Sequence, residues 1–400
     1  MQIAQLVNNL DVSGGYQKLV IRSTQALEKL GHDVTIYTPS VDKKKCYPSD
    51  IARVKIVTLT NDEKGLPHVE KFKAIGSKLP TDLDALIIHD DLSLLSLAAL
   101  PPNPHFTIAW MVNNQVPENL GNYRAELTHT MRHAGGRAKD KLRAARSKLT
   151  EVKLMRKGLK RVHIFATYDR FNQDLVRRQL NKKADFVAAG ADLERFTKFA
   201  KGRTFDDKKR YELLSVGVLF PHRRYEDIID AVAELTRQKL SVHATIVGLQ
   251  DLSPDYFKKL REKVEKRDLQ KLITFKHYVT DEEMTRLYKN SDAFLFINDG
   301  FTWGISVFEA VAAGLPVVIT NNIGAADLIE NGKTGWVVNP RAPKEVAKAV
   351  GEITTKRNNT KEISLRAAKE LTAFVSWEAY SKRMLDLINK DRKVRLGNKV

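Results

Sequence analysis

The sequence lacks several features that mark particular classes of protein. It has a single cysteine, Cys46, which excludes an internal disulfide and fits a reducing compartment. It has no apolar run of about 18 residues, so we expect no membrane-spanning helix. The start, MQIAQLVNNL, turns polar at once and predicts no signal peptide. It has no short-period repeat or low-complexity segment, which excludes collagen-like and solenoid architectures.

Acidic residues are also scarce relative to basic ones. The chain has 48 Asp and Glu against 67 Lys and Arg, a net charge of +19. Such an imbalance predicts an anionic partner such as membrane lipid, nucleic acid or a phosphorylated substrate. It carries no information on the fold, which has to come from the pattern of apolar residues.

Short apolar runs alternate with helical patterns in two successive series. The first series of predicted strands is Ile3–Val7, Asp33–Tyr37, Val54–Val57, Ala85–Ile88 and Phe106–Met111. The second is Leu213–Val216, His243–Val247, Ile273–Phe275, Ala293–Ile297, Pro316–Thr320 and Gly335–Val338. Helices are predicted at Gln17–Leu30, Tyr225–Gln238, Asp281–Asn290 and Pro343–Ile353. The alternation predicts an α/β protein with two doubly wound parallel sheets.

Two domains are expected, because 400 residues exceed what one hydrophobic core usually covers. The polar segment 198–210, KFAKGRTFDDKKR, is the predicted boundary. We therefore predict domains at residues 1–200 and 201–375, followed by a C-terminal helical segment at 376–400. Ligands of such sheets bind outside the carboxyl ends of the strands, so a cleft between the domains is expected.

The stretch 299–320, DGFTWGISVFEAVAAGLPVVIT, carries the clearest chemistry. A strand runs into a loop containing Gly304, and a helix is predicted to start at Ile305. Free backbone N–H groups at a helix start bind anions, and a glycine lets a diphosphate approach the main chain. Glu309, one turn further on, can accept hydrogen bonds from ribose hydroxyls. Alternatively, Gly304 is only a turn and Glu309 a solvated helix residue.

The same stretch resembles the donor-site signature of the family 4 retaining glycosyltransferases, which have the GT-B fold. Glu309 falls on the second glutamate of the family's pair, and AVAAGLPVV follows it as in the family. Further similar segments are SGGYQKL at 13–19, GADLERF at 190–196, FKHYVTD at 275–281, GAADLIENGKTGW at 324–336 and FVSWEAY at 374–380. The resemblance implies two Rossmann-like domains and a C-terminal helix that crosses back to the first domain.

The resemblance also implies the residues of a nucleotide-sugar site. Gly14 and Gly15 fall on a glycine pair that faces the donor phosphates, although they also suit a flexible turn. Val279 and Asp281 fall near the nucleobase. An aspartate there can accept from guanine, which favours GDP over UDP, although Asp281 also suits a helix start. The loop and helix start supply Trp303, Gly304 and Ile305, and Glu309 holds the ribose.

The phosphate contact departs from the family pattern in VGVLFPHRRYED at 216–227. Val218 occupies the family's arginine position and cannot bind phosphate. The lysine position falls on Arg223, with Arg224 beside it, and either guanidinium can hold a diphosphate through two hydrogen bonds. We expect Arg223 to be the ligand.

Two other departures concern the transferred sugar. Phe301 stands where the family has its first glutamate. Met111 stands where many relatives have a histidine, and Asn113 or Asn114 are candidate replacements. These changes indicate either an altered sugar preference or lost activity.

A retaining transfer of this class needs no strong protein base, because a leaving-group oxygen can accept the acceptor's proton. Arg223 and Glu309 are therefore the predicted catalytic residues, acting through positioning and charge stabilisation. No cofactor or metal is expected. His89, Asp90 and Asp91 cluster at a strand end, but this is a weak case for a metal site.

A basic segment lies between Arg137 and Arg161, with eleven Lys or Arg and two acids. Its apolar stripe comprises Leu142, Ala145, Leu149, Val152 and Leu159. The pattern predicts an amphipathic helix on an anionic membrane surface, or a solvated helix that packs its stripe on the N-terminal domain. No aromatic residue interleaves the basic ones, so nucleic acid is not expected.

The sequence thus predicts a hexosyltransferase that is cytoplasmic and peripheral to the inner membrane surface. It would move a hexose from a nucleotide diphosphate sugar to a glycan or lipid-linked acceptor. A hydrolase, epimerase or phosphorylase on the same fold is a less favoured enzyme. The alternative from another class is a catalytically degenerate relative that binds nucleotide or membrane as a partner subunit. A third is a purely anion-binding protein.

Overall fold

The computed structural model describes residues 1–101, 105–112, 138–300 and 302–397, with the backbone alone at 138–144 and 396. The chain forms two compact units. The N-terminal domain comprises Met1–Gly190 with Trp377–Val400, and the C-terminal domain comprises Ala191–Ser376.

The boundary between the units lies ten residues before the predicted division at 200/201. The reason is the short helix Glu194–Thr197, which belongs to the C-terminal core. Its Phe196 is fully buried, and its ring centroid lies 4.7 Å from that of Tyr288. The polar composition of 198–210 therefore marks a surface segment of the C-terminal domain.

Within the described residues, the N-terminal domain has a seven-stranded parallel sheet in the order β3-β2-β1-β4-β5-β6-β7. The strands are β1 Gln2–Leu6, β2 Asp33–Tyr37, β3 Lys55–Val57, β4 Ala85–Ile88, β5 Thr107–Val112, β6 Ile164–Thr167 and β7 Asp185–Phe186. The five predicted strands are confirmed with ends shifted by one residue at most, whereas β6 and β7 were not predicted. All four residues of β4 are buried, as a strand covered on both faces requires.

Helices and 3₁₀ turns alternate with the strands of this sheet along the described chain. They are Gly15–Lys29, Pro48–Ile51, His68–Ser77, Ala138–Leu159, Arg170–Leu180 and Trp377–Leu396, with 3₁₀ turns at Glu63–Gly65 and Leu92–Ala99. The C-terminal helix packs on this domain, where Thr107 donates a 2.6 Å hydrogen bond to Asp391 and Arg383 donates to the carbonyl of Ala188 at 2.8 Å.

The C-terminal domain has, among the described residues, a six-stranded parallel sheet in the order β10-β9-β8-β11-β12-β13. Its strands are β8 Tyr211–Val216, β9 Val242–Val247, β10 Ile273–Lys276, β11 Ala293–Phe296, β12 Val317–Thr320 and β13 Trp336–Val338. Its helices are Glu194–Thr197, Tyr225–Arg237, Pro254–Lys266, Asp281–Asn290, Ile305–Ala312, Pro343–Thr355 and Arg357–Phe374, with 3₁₀ turns at Pro221–Arg223 and Gly324–Asp327. All six predicted strands are confirmed.

The strand order reverses direction once in each sheet. In the C-terminal sheet the reversal falls between β8 and β11, which pair through Leu213 with Ala293 and Leu214 with Phe294. In the N-terminal sheet it falls between β1 and β4. Because crossovers leave the sheet in opposite directions there, a crevice forms outside the carboxyl ends of these strands. Each domain therefore offers a ligand position of its own.

The basic segment forms the helix Ala138–Leu159. Ala145, Val152 and Met155 are buried, and Leu149 and Leu159 are half-buried. A Cβ on Gly158 would lie 2.4 Å from the carbonyl oxygen of Leu94, so the helix packs closely on the 3₁₀ turn beneath it. The predicted stripe thus lies against the N-terminal domain; the side chain of Leu142 and the whole of Arg137 lie outside the described residues.

The opposite side of this helix and the turn after it form what we call the basic face. It comprises the exposed side chains Arg146, Lys153, Lys157 and Lys160. In the part of the chain that the structure describes, no helix is long and apolar enough to span a membrane.

Candidate active site

The helix Ile305–Ala312 begins at Gly304 in the crevice of the C-terminal domain. Gly304 has a φ of +88°, in the left-handed region that favours glycine. A Cβ there would lie 3.3 Å from both the Phe296 ring and Val307. Ile305 is exposed, while the preceding Trp303 packs over Gly324. The glycine therefore permits the turn, and no side chain among the described residues caps the helix start.

Arg223 lies over the aromatic ring that Gly304 abuts. Its Cζ is 4.7 Å from the centroid of Phe296, and its Nη1 donates to Asn298 Oδ1 at 3.2 Å. Gly217, at the end of β8, leaves space beside the guanidinium, since a Cβ there would lie 3.6 Å from Arg223 Cζ. The structure thus brings both Arg223 and the helix start next to the Phe296 ring.

The charge of Arg223 is not neutralised by any carboxylate among the described residues. Its side chain is half-buried, and burial lowers the pKa of the guanidinium. Asn298 is 1% exposed. Among the described residues, neither Arg223 Nε nor Asn298 Nδ2 has a hydrogen-bond acceptor, and both atoms are shielded from solvent. Donors left without acceptors are uncommon in folded proteins, so this pair suits an anionic ligand.

Arg224 is occupied by carboxylates instead. It contacts Asp227 at 2.7 Å, Glu226 at 2.8 Å and Asp299 at 4.0 Å. The hydrogen bond with Asp227 raises the pKa of Arg224, and Asp227 is 2% exposed. These contacts assign Arg224 to the helix start at Tyr225 rather than to a diphosphate.

Glu309 is half-buried, one turn into the helix that begins after Gly304. Its Oε2 accepts a 2.9 Å hydrogen bond from Tyr288, and its Oε1 lies 3.8 Å from Arg195 Nη2. Burial and the Glu309 carboxylate raise the pKa of the Tyr288 phenol, which keeps it a donor. The carboxylate is therefore held in place and is not a freely solvated helix residue.

Aromatic side chains connect the two ends of this site. Tyr288 stacks on Phe294 with centroids 5.7 Å apart, and Phe294 stacks on Phe296 at 6.3 Å. Glu309 is bonded to the first ring and Arg223 covers the last. These three stacked rings set the distance between the Glu309 carboxylate, which suits a ribose, and the Arg223 guanidinium, which suits a phosphate.

The predicted base residues lie at the start of the helix Asp281–Asn290. Val279 is buried in the core, and the side chain of Asp281 is 84% exposed. Asp281 Oδ1 accepts a 2.7 Å hydrogen bond from Arg195 Nη1. Arg195 thus lies between the predicted base residue and the predicted ribose residue.

Gly14 and Gly15 occupy the corresponding crevice of the N-terminal domain. Gly14 precedes the helix Gly15–Lys29, and its carbonyl accepts from the Tyr47 hydroxyl at 3.1 Å. A side chain on Gly15 would meet nothing within 4 Å. These two glycines belong to a different domain from Arg223 and Glu309, and their contact with the donor stays a prediction.

The departures from the family pattern have partial structural explanations. Met111 is fully buried within β5, so it presents no side chain to a ligand. Val218 follows Gly217 and is half-buried. Phe301, Asn113 and Asn114 lie outside the described residues.

The residues His89, Asp90 and Asp91 follow β4, and Asp90 links this strand end to the segment after β1 through hydrogen bonds. Asp90 accepts from the Asn8 amide at 2.7 Å and from Tyr16 at 2.9 Å, and burial raises the pKa of Asp91 to about 6. In the described part of the chain, no set of three or more His, Cys, Asp and Glu side chains is arranged to hold a metal. We assign these residues a structural role.

Sequence reasoning missed four side chains of the site: Asn298, Phe296, Tyr288 and Arg195. Asn298 follows directly on a predicted buried strand, which was a usable signal for a ligand contact. The segment containing Arg195 was recognised, but nothing in it indicated which residue the arginine would contact.

Comparison with known proteins finds a family match in the C-terminal domain. Residues 196–370 match the family described as Glycosyl transferases group 1. This match confirms, over most of the C-terminal domain, the predicted resemblance to the group 1 glycosyltransferases.

A GDP-mannose-dependent alpha-(1-6)-phosphatidylinositol monomannoside mannosyltransferase of Mycobacterium tuberculosis is 25% identical over 224 residues, 53% of this chain. The match spans 57% of that relative, so little more than half of its length is compared.

Solved structures match the whole chain. A Rickettsia africae glycosyltransferase gives a TM-score of 0.72 at 16% identity, covering 100% of this chain and 99% of its own. Anabaena Alr3699/HepE in complex with UDP gives 0.71 at 16% identity, covering 98% and 100%. The chain therefore has the GT-B fold.

Proposed function

We propose that the protein is a retaining glycosyltransferase that moves a hexose from a nucleotide diphosphate sugar to an acceptor. The observation that carries the proposal is Arg223, a half-buried guanidinium without a carboxylate partner among the described residues, beside a helix start that no described side chain caps. Both features suit the diphosphate of a donor. The group 1 glycosyltransferase match over 196–370 supports the same activity.

In the proposed reaction the acceptor hydroxyl attacks the face of the sugar from which the diphosphate leaves. An oxygen of the leaving diphosphate accepts the proton of that hydroxyl. Arg223 and the helix start at Ile305 stabilise the charge that grows on the diphosphate, while Glu309 holds the ribose. Gly14 and Gly15 are proposed to add backbone contacts from the N-terminal domain, and no metal is needed for these steps.

For the donor base we favour guanine over uracil. Asp281 is exposed at a helix start and can accept from guanine N–H groups. The Mycobacterium tuberculosis relative is named as GDP-mannose-dependent, whereas the Anabaena structure contains UDP. The pairing of Asp281 with Arg195 leaves carboxylate lone pairs for such a contact.

We propose a glycan or lipid-linked acceptor and a cytoplasmic protein bound peripherally at the inner face of the membrane. The basic face supplies the attraction to anionic lipid. Because Ala145, Val152 and Met155 are buried, this contact would be electrostatic and would not insert the helix.

The alternative is a catalytically degenerate relative that retains the nucleotide site. Val218 and the buried Met111 favour it, because each replaces a polar residue of the family pattern. Release of the free nucleotide from its sugar donor in the presence of acceptor separates the two. Binding without turnover across a panel of acceptors supports the degenerate relative.

The first test is thermal stabilisation by GDP, UDP and ADP, with Glu309→Ala as the control. A ligand at about 100 times its Kd adds about 2.7 kcal/mol to the stability of the folded state. Loss of the Glu309 contacts should weaken binding by about 1–3 kcal/mol. A nucleotide that stabilises the wild type and E309A equally would refute the ribose role of Glu309.

A further inference from the structure

Arg195 joins two acidic side chains that come from different helices. Its Nη1 lies 2.7 Å from Asp281 Oδ1, and its Nη2 lies 3.8 Å from Glu309 Oε1. The first distance is a charge-assisted hydrogen bond, and the second is an ion-pair contact that is too long for one. One guanidinium therefore spans the base end and the ribose end of the proposed nucleotide site.

The guanidinium of Arg195 packs against the ring of the neighbouring residue, Phe196. Its Cζ lies 4.7 Å from the centroid of the Phe196 ring, and Phe196 is fully buried. Its Nε is shielded from solvent and has no acceptor in the part of the chain that the structure describes. With 35% of its side chain exposed, Arg195 is anchored at its base while its two terminal nitrogens reach the acids.

Glu309 is held from two directions as a result. Tyr288 donates to Oε2 at 2.9 Å, and Arg195 faces Oε1. Phe196 packs edge-on against Tyr288 with centroids 4.7 Å apart, so the two groups that hold Glu309 rest on one another. Removing Arg195 would therefore take away one of the groups that hold Glu309, while the Tyr288 phenol would remain.

We propose that Arg195 is a positioning residue for the nucleoside, setting the carboxylates of Glu309 and Asp281 for the ribose and the base. This inference rests on the proposed nucleotide-sugar site and adds a residue to it. Arg195 acts through the two acids and not on the diphosphate, which Arg223 and the helix start bind. Its effect should therefore depend on the nucleoside part of the ligand.

The experiment measures the Kd of GDP, UDP, ADP and inorganic pyrophosphate by calorimetry. Arg195→Ala should weaken the preferred nucleotide about tenfold, the loss typical of one charge-assisted contact, and leave pyrophosphate unchanged. Arg195→Lys should recover part of the loss, because it keeps the charge without the fork. The exposed Arg366 on the helix Arg357–Phe374 supplies a matched control, R366A, with wild-type affinities expected throughout.

A double-variant cycle decides whether Arg195 acts through Glu309. Arg195→Ala should weaken nucleotide binding less in the E309A background than in the wild type, because only Asp281 is then left for the arginine to position. Additive losses, an R195A with wild-type nucleotide affinity, or an equal loss for pyrophosphate would each overturn the proposal. If the wild type binds pyrophosphate but no nucleotide, the nucleotide-sugar function itself fails, and the inference fails with it. Should R195A fail to fold, R195K and its cycle with E309A give the same test.

Discussion

Replacing Arg223 by methionine should separate ligand binding from folding stability. The side chain keeps its approximate length over Phe296 and loses its charge. The variant forfeits one hydrogen bond with Asn298 and a cation–π contact, worth about 1 kcal/mol each. In the wild type, folding buries the Arg223 cation, which has no carboxylate partner among the described residues. The variant avoids this desolvation cost, and that gain offsets the lost contacts. The ligand-free free energy of unfolding should therefore change by about 1 kcal/mol or less.

Binding should change far more. Two charge-assisted hydrogen bonds to a diphosphate are worth about 3 kcal/mol together, which corresponds to a Kd about 150 times higher. A nucleotide at 100 times the wild-type Kd stabilises the wild type by about 2.7 kcal/mol. At the same concentration the R223M protein would gain only about 0.3 kcal/mol. Urea denaturation with and without nucleotide, together with calorimetric titration of pyrophosphate, measures both quantities.

Arg224→Met is the matched control, because it should give the opposite pattern. It leaves Asp227, which is 2% exposed, without its guanidinium partner and should cost about 3 kcal/mol of stability. Its nucleotide and pyrophosphate affinities should stay at the wild-type values. If R223M binds pyrophosphate as the wild type does, or if R224M is the variant that loses it, the assignment of the phosphate ligand is wrong.

Three further changes test other parts of the structure. Gly304→Ala should cost about 1–2 kcal/mol of unfolding free energy and weaken nucleotide binding, because the φ of Gly304 is +88° and a Cβ there would meet Phe296. The control is Gly351→Ala, in open space within a helix, which should stabilise the protein by about 0.5–1 kcal/mol. Burial lowers the pKa of His89 to about 3, so below pH 6.5 the unfolded chain binds a proton that the folded protein does not, and stability falls with acidification. From pH 8 to pH 5 the free energy of unfolding of the wild type, measured by urea denaturation, should fall by about 2 kcal/mol more than that of His89→Gln. Changing the four residues of the basic face to glutamine should abolish salt-sensitive binding to anionic vesicles, at about 1 kcal/mol per charge, without lowering the melting temperature; unchanged sedimentation with such vesicles would count against the membrane proposal.

Most of the fold could be predicted because its strands are short apolar runs that need burial on both faces. The strand β4, ALII, is of this kind and was placed without error. The strand β6, IFAT, lies in a segment of charged residues, and β7 has only two residues, so neither gave a clear periodicity. The domain boundary was displaced for a related reason. Composition shows where the surface is polar, but it cannot show that Phe196 is buried in the second core.

Each residue that was predicted for the site lies in a segment with a recognisable local pattern. Gly304, Ile305 and Glu309 lie on one loop and helix, so their spacing alone brings them together. Arg195 and Asp281 are 86 residues apart, and Arg223 and Asn298 are 75 apart. Those contacts depend on how separate strands and helices meet at the crevice, which no local pattern records. Sequence could therefore name the acids and the glycine but not the side chains that hold them.

The distribution of charge supports a proposed phosphate site at Arg223, although Val218 replaces the family's arginine. Three carboxylates surround Arg224, and Asp281 and Glu309 face Arg195. Among these three arginines, only Arg223 is free of such a partner within the described ranges. Among these three residues, the guanidinium beside the helix start is therefore the one that keeps its charge for a ligand. In the proposed site, the affinity for a diphosphate should depend mainly on Arg223, because Val218 supplies no second cation.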